Sequence, residues 1–195
     1  MTTDDHQRHS ELRVPSRIRA SIGPVARSHA LFTRCCRIRQ ASQTLHVRAI
    51  ACSGAGFLLA VLWFDLMFDV QARGHPEAEV PRDVRASIAA YYARVTTAAR
   101  PMNRIVALAM VITVGALGAE LVRNDLPVWR STLSLVLTLV AVGLAARRTV
   151  PNAVRLGRQT DDPAQQSRLA HMIGRDHVIC FGAIVVVLLL QLPPA

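Results

Sequence analysis

Four long apolar stretches alternate with polar ones along the chain, at about 49–68, 105–122, 128–146 and 178–192. A bilayer core of ~30 Å takes ~20 helical residues, with ~17 as a working minimum. The first three stretches meet that length. The fourth is short, but Pro193-Pro194 can lie among the headgroups and His177 can extend its start. Backbone groups in lipid have no water partners, so such stretches are predicted as helices. A soluble protein with four core helices fits less well. A core helix usually carries a polar stripe, whereas Ile105–Leu117 has only Thr113 as a polar side chain.

The connections differ in length. Spans two and three are joined by a few residues centred on Asn124-Asp125-Leu126-Pro127, which predicts a tight antiparallel hairpin. The other two connections are about thirty residues each and read as helical. Val84, Ile88, Tyr91 and Val95 fall at helical spacing after Pro81-Arg82-Asp83, in a segment ending near Pro101. Asp162-Pro163-Ala164-Gln165 has the order of an N-cap, a first-turn proline and a capping-box glutamine. From there a helix can run through Leu169 and Ile173 into the fourth span. Small residues repeat at spacings of four, as Ala51/Ala55, Cys52/Gly56/Ala60 and Gly115/Ala119, which suits close helix packing. The fold class is therefore all-α: a polytopic four-transmembrane-helix bundle, residues 45–195, with helical connectors. Residues 1–44 carry eight arginines with proline, serine and histidine and no apolar period. They are expected to form a disordered Arg-rich tail. Alternatively, translation begins nearer Val47.

Composition sharpens this picture. The chain of 195 residues is 51% hydrophobic yet has a formal net charge of +10, so apolar and charged residues must be segregated. All 23 basic residues are arginine. Arginine has GC-rich codons and lysine AT-rich ones, which points to a GC-rich bacterium and to its plasma membrane as the location. The two long connections hold twelve arginines, against six for the hairpin and the part of the tail near the first span. By the positive-inside bias both long connections are expected in the cytoplasm and both termini outside. A basic tail attracts phosphate, but no aromatic stacking residues accompany this one, so nucleic acid is not an expected partner. The lipid bilayer is, and a second copy of the chain is the one protein partner considered.

This topology gathers polar residues at one end of the bundle. Asp65 and Asp69 lie one helical turn apart at the end of the first span, and Asn103 and Arg104 begin the second. Arg147, Arg148, Asn152 and Arg155 leave the third, and Arg175, Asp176 and His177 enter the fourth. The structural reading pairs the aspartates with nearby arginines to fix helix ends. The functional one makes this a polar site, with Asp176 and His177 as candidate catalytic residues and His177 moving a proton. No metal is expected: Asp65, Asp69, Asp176, His177 and His171 are ordered by no ligand motif, and the arginines repel a cation. Excess guanidinium suits an anion such as a lipid headgroup or a carboxylate. Cys35, Cys36, Cys52 and Cys180 make neither a C-x-x-C nor a disulfide framework. Tyr91, Tyr92, Trp63 and Trp129 suit interfacial anchoring. A Gly-rich phosphate loop, G-x-S-x-G and a haem motif are absent, and no cofactor is expected.

Phe57–Val70 with its two aspartates, Tyr91–Arg104 ending in Pro-Met-Asn-Arg, Val150-Pro151-Asn152 and Gly174-Arg175-Asp176-His177 form a recognisable set. Over about residues 50–192 they resemble a group of small uncharacterised four-span bacterial membrane proteins. More loosely, the layout is similar to the anthrone oxygenase-like membrane family. That resemblance implies four spans, a helical first connection, a Pro-x-Asn segment after the third span, and a helix carrying His and Arg into the fourth. The match falls on Pro151, Asn152 and His177. Two departures stand out: Pro151 and Asn152 are adjacent, and Val178–Phe181 offers no arginine after the histidine. The looser resemblance implies oxygenation of an anthrone-like aromatic.

Three functions follow. The first is a structural or accessory membrane bundle with a polar cluster at the cytoplasmic face. The alternative is a cofactor-independent membrane enzyme acting on a small lipophilic or aromatic substrate. A small-solute or proton transporter comes third, because four spans rarely enclose a path alone.

Overall fold

The computed structural model describes residues 23–77, 79–98 and 100–192, and among these it contains helices and turns and no strand. The helices are α1 (Gly23–Arg73), α2 (Arg82–Ala93), α3 (Arg100–Arg123), α4 (Val128–Leu144), α5 (Val150–Arg158) and α6 (Pro163–Gln191). Single π-helical turns, Arg94–Ala98 and Ala145–Thr149, follow α2 and α4. Two compact units divide the chain, Met1–Ser42 and Gln43–Ala195. Part of the expected tail is helical, since α1 is assigned from Gly23. No glycine or proline falls between Val25 and Ser53 to interrupt it. Residues 1–22 of that tail lie outside the described residues.

Four helical segments are long and apolar enough to cross a membrane: Ser42–Arg73, Pro101–Arg123, Val128–Arg158 and Pro163–Gln191. That is the make-up of a multi-pass membrane protein. Each is longer than its apolar stretch, because hydropathy marks the part that suits lipid and the helix runs on beyond it. The difference is greatest in the fourth. There a single helix of 29 residues runs through Leu169 and Ile173 into the span, as expected, and Asp162 Oδ1 caps it by accepting from Gln165 N at 2.9 Å. The first connector ends earlier than its periodicity suggests. Pro101 does not stop that helix but sits in the first turn of α3, where its missing N–H costs nothing.

The bundle buries hydroxyls beside its apolar core and leaves many large hydrophobes outside. Thr113, Ser131, Ser134 and Thr138 are fully buried, whereas Val111, Val122, Leu108 and Trp129 stand open on the outside. Lipid tails are as apolar as leucine, so outward hydrophobes need no cover, and small or hydroxylated side chains fill the helix contacts instead. Of the small-residue pairs, Ala51 and Ala55 are buried, while a Cβ on Gly56 or Gly115 would meet open space. The tightest contact comes at Gly54, where α1 approaches α3 so closely that an added Cβ would collide with Thr113 Oγ1.

The connectors build a layer at one end of the bundle. Val80, Ile88, Ala89 and Tyr92 pack against Ala153, Leu156, Leu169, Ala170 and Ile173, with Val84, Tyr91 and Val95 at the margin. The period read from the first connector is thus the face it buries. At Gly157 the layer is too close for any side chain, because a Cβ would lie 2.8 Å from Ala93 N.

Candidate functional site

Asp65 and Asp69 present their carboxylates one turn apart on α1, and the last turn of α2 meets them with adjacent phenols. The Tyr91 hydroxyl donates to Asp65 Oδ1 at 2.7 Å, and the Tyr92 hydroxyl donates to Asp69 Oδ1 at 2.6 Å. Phe68 stacks on Tyr91 with ring centroids 3.9 Å apart, which fixes the first phenol. Burial, and then the carboxylates of Asp65 and Asp69, push both phenols well above the usual tyrosine range. They remain protonated donors throughout the biological pH range.

Helix α6 supplies the third side. Gly174 leaves room for Asp69, whose Cβ would be only 3.2 Å from a Cβ at position 174. One turn further on, His177 Nδ1 stands 2.6 Å from Asp69 Oδ2. A carboxylate only accepts, so Nδ1 carries the proton, and Nε2 keeps its lone pair in the neutral ring. Nε2 lies 3.7 Å from Asp65 Oδ2, beyond hydrogen-bond reach. The neighbouring Asp176 points elsewhere: it pairs with Arg148 Nε at 3.1 Å, with Thr149 Oγ1 at 3.5 Å from the same oxygen. Thr149 and Arg148 come from the π turn after α4, so that turn is what delivers them to α6.

His177, Asp65, Tyr91 and Tyr92 form one wall of a cavity of about 820 Å³. The rest of its lining is mostly apolar, from Leu58, Leu62, Phe64 and Phe68 on α1, Met102, Val106 and Met110 on α3, and Ala141, Cys180 and Ile184. Both π turns border it, through Val95 and Thr96 on one side and Ala145, Ala146 and Thr149 on the other. Such turns occur frequently at functional sites. Among the described residues no arginine lines the cavity.

The remaining candidates scatter. Asn103 borders the cavity and donates to Thr96 O at 2.8 Å. Arg104 and Arg175 are exposed, and Asn152 is half-buried away from the cavity wall. Arg155 forks onto Asp161 at 2.7 and 2.8 Å. Among the described residues no three of His, Cys, Asp and Glu are grouped to hold a metal ion. In the sequence Tyr91 falls on the apolar face of the connector and both tyrosines suit anchoring; their placement side by side is the signal for more.

A second polar group lies at the hairpin end. Glu120 is buried and accepts from Gln191 Nε2 at 2.9 Å. Arg48 donates to Gln191 O, and Arg130 donates to Leu190 O and Leu192 O. Thr44 donates to Asp125 Oδ1 at 2.9 Å. No family model matches the chain, and no curated protein or solved structure matches it.

Proposed function

We propose that this is a cofactor-independent membrane enzyme, which binds a small lipophilic or aromatic molecule in the cavity and exchanges a proton with it through His177. The reading is carried by one observation: His177 sits on the wall of a large apolar cavity with Asp69 on its inner nitrogen. In this reading Asp69 sets the tautomer and steadies the imidazolium that forms when Nε2 takes a proton, a division of roles that recurs wherever a carboxylate orients a catalytic histidine. Tyr92 shares the Asp69 carboxylate, and Tyr91 holds Asp65 beside Nε2. A carbon acid such as an anthrone, with a C–H acidified by its neighbouring carbonyl and rings, is a substrate of this chemistry and agrees with the looser family resemblance. The cluster and both connectors belong on the cytoplasmic side of a bacterial plasma membrane.

The test is deuterium exchange into the acidic C–H of anthrone, without oxygen, by the protein reconstituted in vesicles in D2O. Exchange faster than in protein-free vesicles, and lost in His177→Gln with helix content retained, is the expected result. Exchange that is no faster than the background, or equal in the variant, rejects the reading.

The pairing itself favours a second reading, a structural bundle whose polar cluster clamps helices. The bonds from Tyr91, Tyr92 and His177 to Asp65 and Asp69 tie α2 and α6 to α1. On that reading the same variants lower thermal stability and alter no exchange rate.

A further inference from the structure

We infer that the cavity opens sideways into the lipid, between α1 and α3, and takes from the bilayer an uncharged apolar molecule bearing one hydrogen-bonding group. This rests on the ligand-binding half of the proposed function and is independent of its proton chemistry.

The water-facing end is roofed. The connector layer of α2, α5 and the start of α6 is packed there, with Ile88, Leu156 and Ile173 fully buried and Gly157 against the Ala93 backbone. At the opposite end of the cavity, α1 and α3 are joined at Gly54 and Thr113. Between those two closures the helices do not seal. No residue of α1 from Leu59 to Phe68 is buried, and none of α3 from Met102 to Ile112. That bare length of α3 spans about 16 Å along its axis at ~1.5 Å per residue. The facing side chains on either side of the gap line the cavity: Leu62, Phe64 and Phe68 on α1, Met102, Val106 and Met110 on α3. Leu108 and Val111, on the outside of the same stretch of α3, face where lipid would be. The gap therefore joins an apolar interior to an apolar surroundings, a route that a charged or strongly hydrated solute would not take.

The polar wall defines the other half of the ligand. Asp65, Tyr91, Tyr92 and His177 offer hydrogen bonds, and among the described residues no arginine borders the cavity to hold an anion. A phenol, a quinol or an enolisable ketone on an apolar body meets both conditions. The volume of about 820 Å³ falls within the range of small-molecule sites.

The experiment places one tryptophan in the cavity. Protein carrying Trp63→Phe and Trp129→Phe receives Met110→Trp, or Leu62→Trp on the opposite wall as an independent second reporter. It is reconstituted with lipids brominated on their acyl chains, and 4-butylphenol is the probe ligand. The expected result is strong quenching by the brominated chains, weak quenching by acrylamide in the water, and relief of the bromine quenching when 4-butylphenol is added. Strong acrylamide quenching with little bromine quenching would show an aqueous mouth and overturn the inference. Bromine quenching that 4-butylphenol leaves unchanged overturns it too, because the ligand then does not occupy the gap. Loss of proton exchange in the wild type would sink the proposed chemistry and leave this quenching pattern in place.

Discussion

Both ends of the bundle bury carboxylates, yet they are built for different ends. At the hairpin, Glu120 is matched to the Gln191 amide, and two arginines close over the last carbonyls of α6. A helix ends there with its carbonyls unpaired and its dipole negative, so guanidinium groups are the expected cap. At the connectors the arginines are mostly elsewhere. Phenols and an imidazole hold the carboxylates instead, and the cluster looks onto a large apolar space. A buried acid is therefore no mark of a site by itself. The partner type and the space beside it separate a fastening from a place where chemistry can occur.

Substitutions can break or sharpen that contrast. The largest effect is expected from His177→Gln, which should lower anthrone proton exchange by about 10²–10⁴-fold, read by mass spectrometry, while Glu120→Gln leaves the rate within about twofold of wild type on the argument that it touches no reacting group. Equal losses in the two variants would erase the distinction. Asp69→Ala comes next. It leaves the Tyr92 hydroxyl and His177 Nδ1 without their shared acceptor, and should cost about 3–5 kcal/mol in unfolding from mixed micelles. Gly157→Ala drives a methyl into the Ala93 backbone, and about 1–3 kcal/mol should be lost through overpacking of the connector layer. At the hairpin, Arg48→Ala and Arg130→Ala should each lower stability by about 1 kcal/mol, seen as a small fall in Tm, with exchange unaffected. If either arginine variant slowed exchange as much as His177→Gln, the two ends would not be separate in function.

Much of the architecture was open to reading because lipid imposes it. Runs of apolar residues, the Asp162-Pro163 cap and the period of Val84, Ile88, Tyr91 and Val95 are local features, and local features survive into the fold. The spacing of Asp65 and Asp69 also carried through, since residues four apart share a helix face. What proximity in sequence could not supply was rotation. Arg175 and Asp176 are neighbours, yet about 100° of helical turn separates them, and one is exposed while the other is buried. Arg104 and Asn103 are both exposed, yet only Asn103 borders the cavity. The bonds that make the site cross long stretches of chain, from Tyr91 to Asp65 and from His177 to Asp69, so no window of sequence contains both partners. Glu120 carries no local signal for a related reason. It lies near the end of an apolar run, and its Gln191 partner lies near the end of another, so each looks like the edge of a span.

The π turn at Ala145–Thr149 also fixes the phase of everything after it. A π turn holds one residue more than the α-helix it interrupts, and one residue is about 100° of rotation. Helix α5 is therefore turned by that angle from the course that α4 alone would have given it. Ala153 and Leu156 face the connector core in this phase, and Thr149 faces Asp176. Deleting a single residue from the turn would leave composition, hydropathy and span length almost untouched. It would nonetheless swing α5 out of register with α2 and α6, so this short segment should tolerate substitution far better than a change in length.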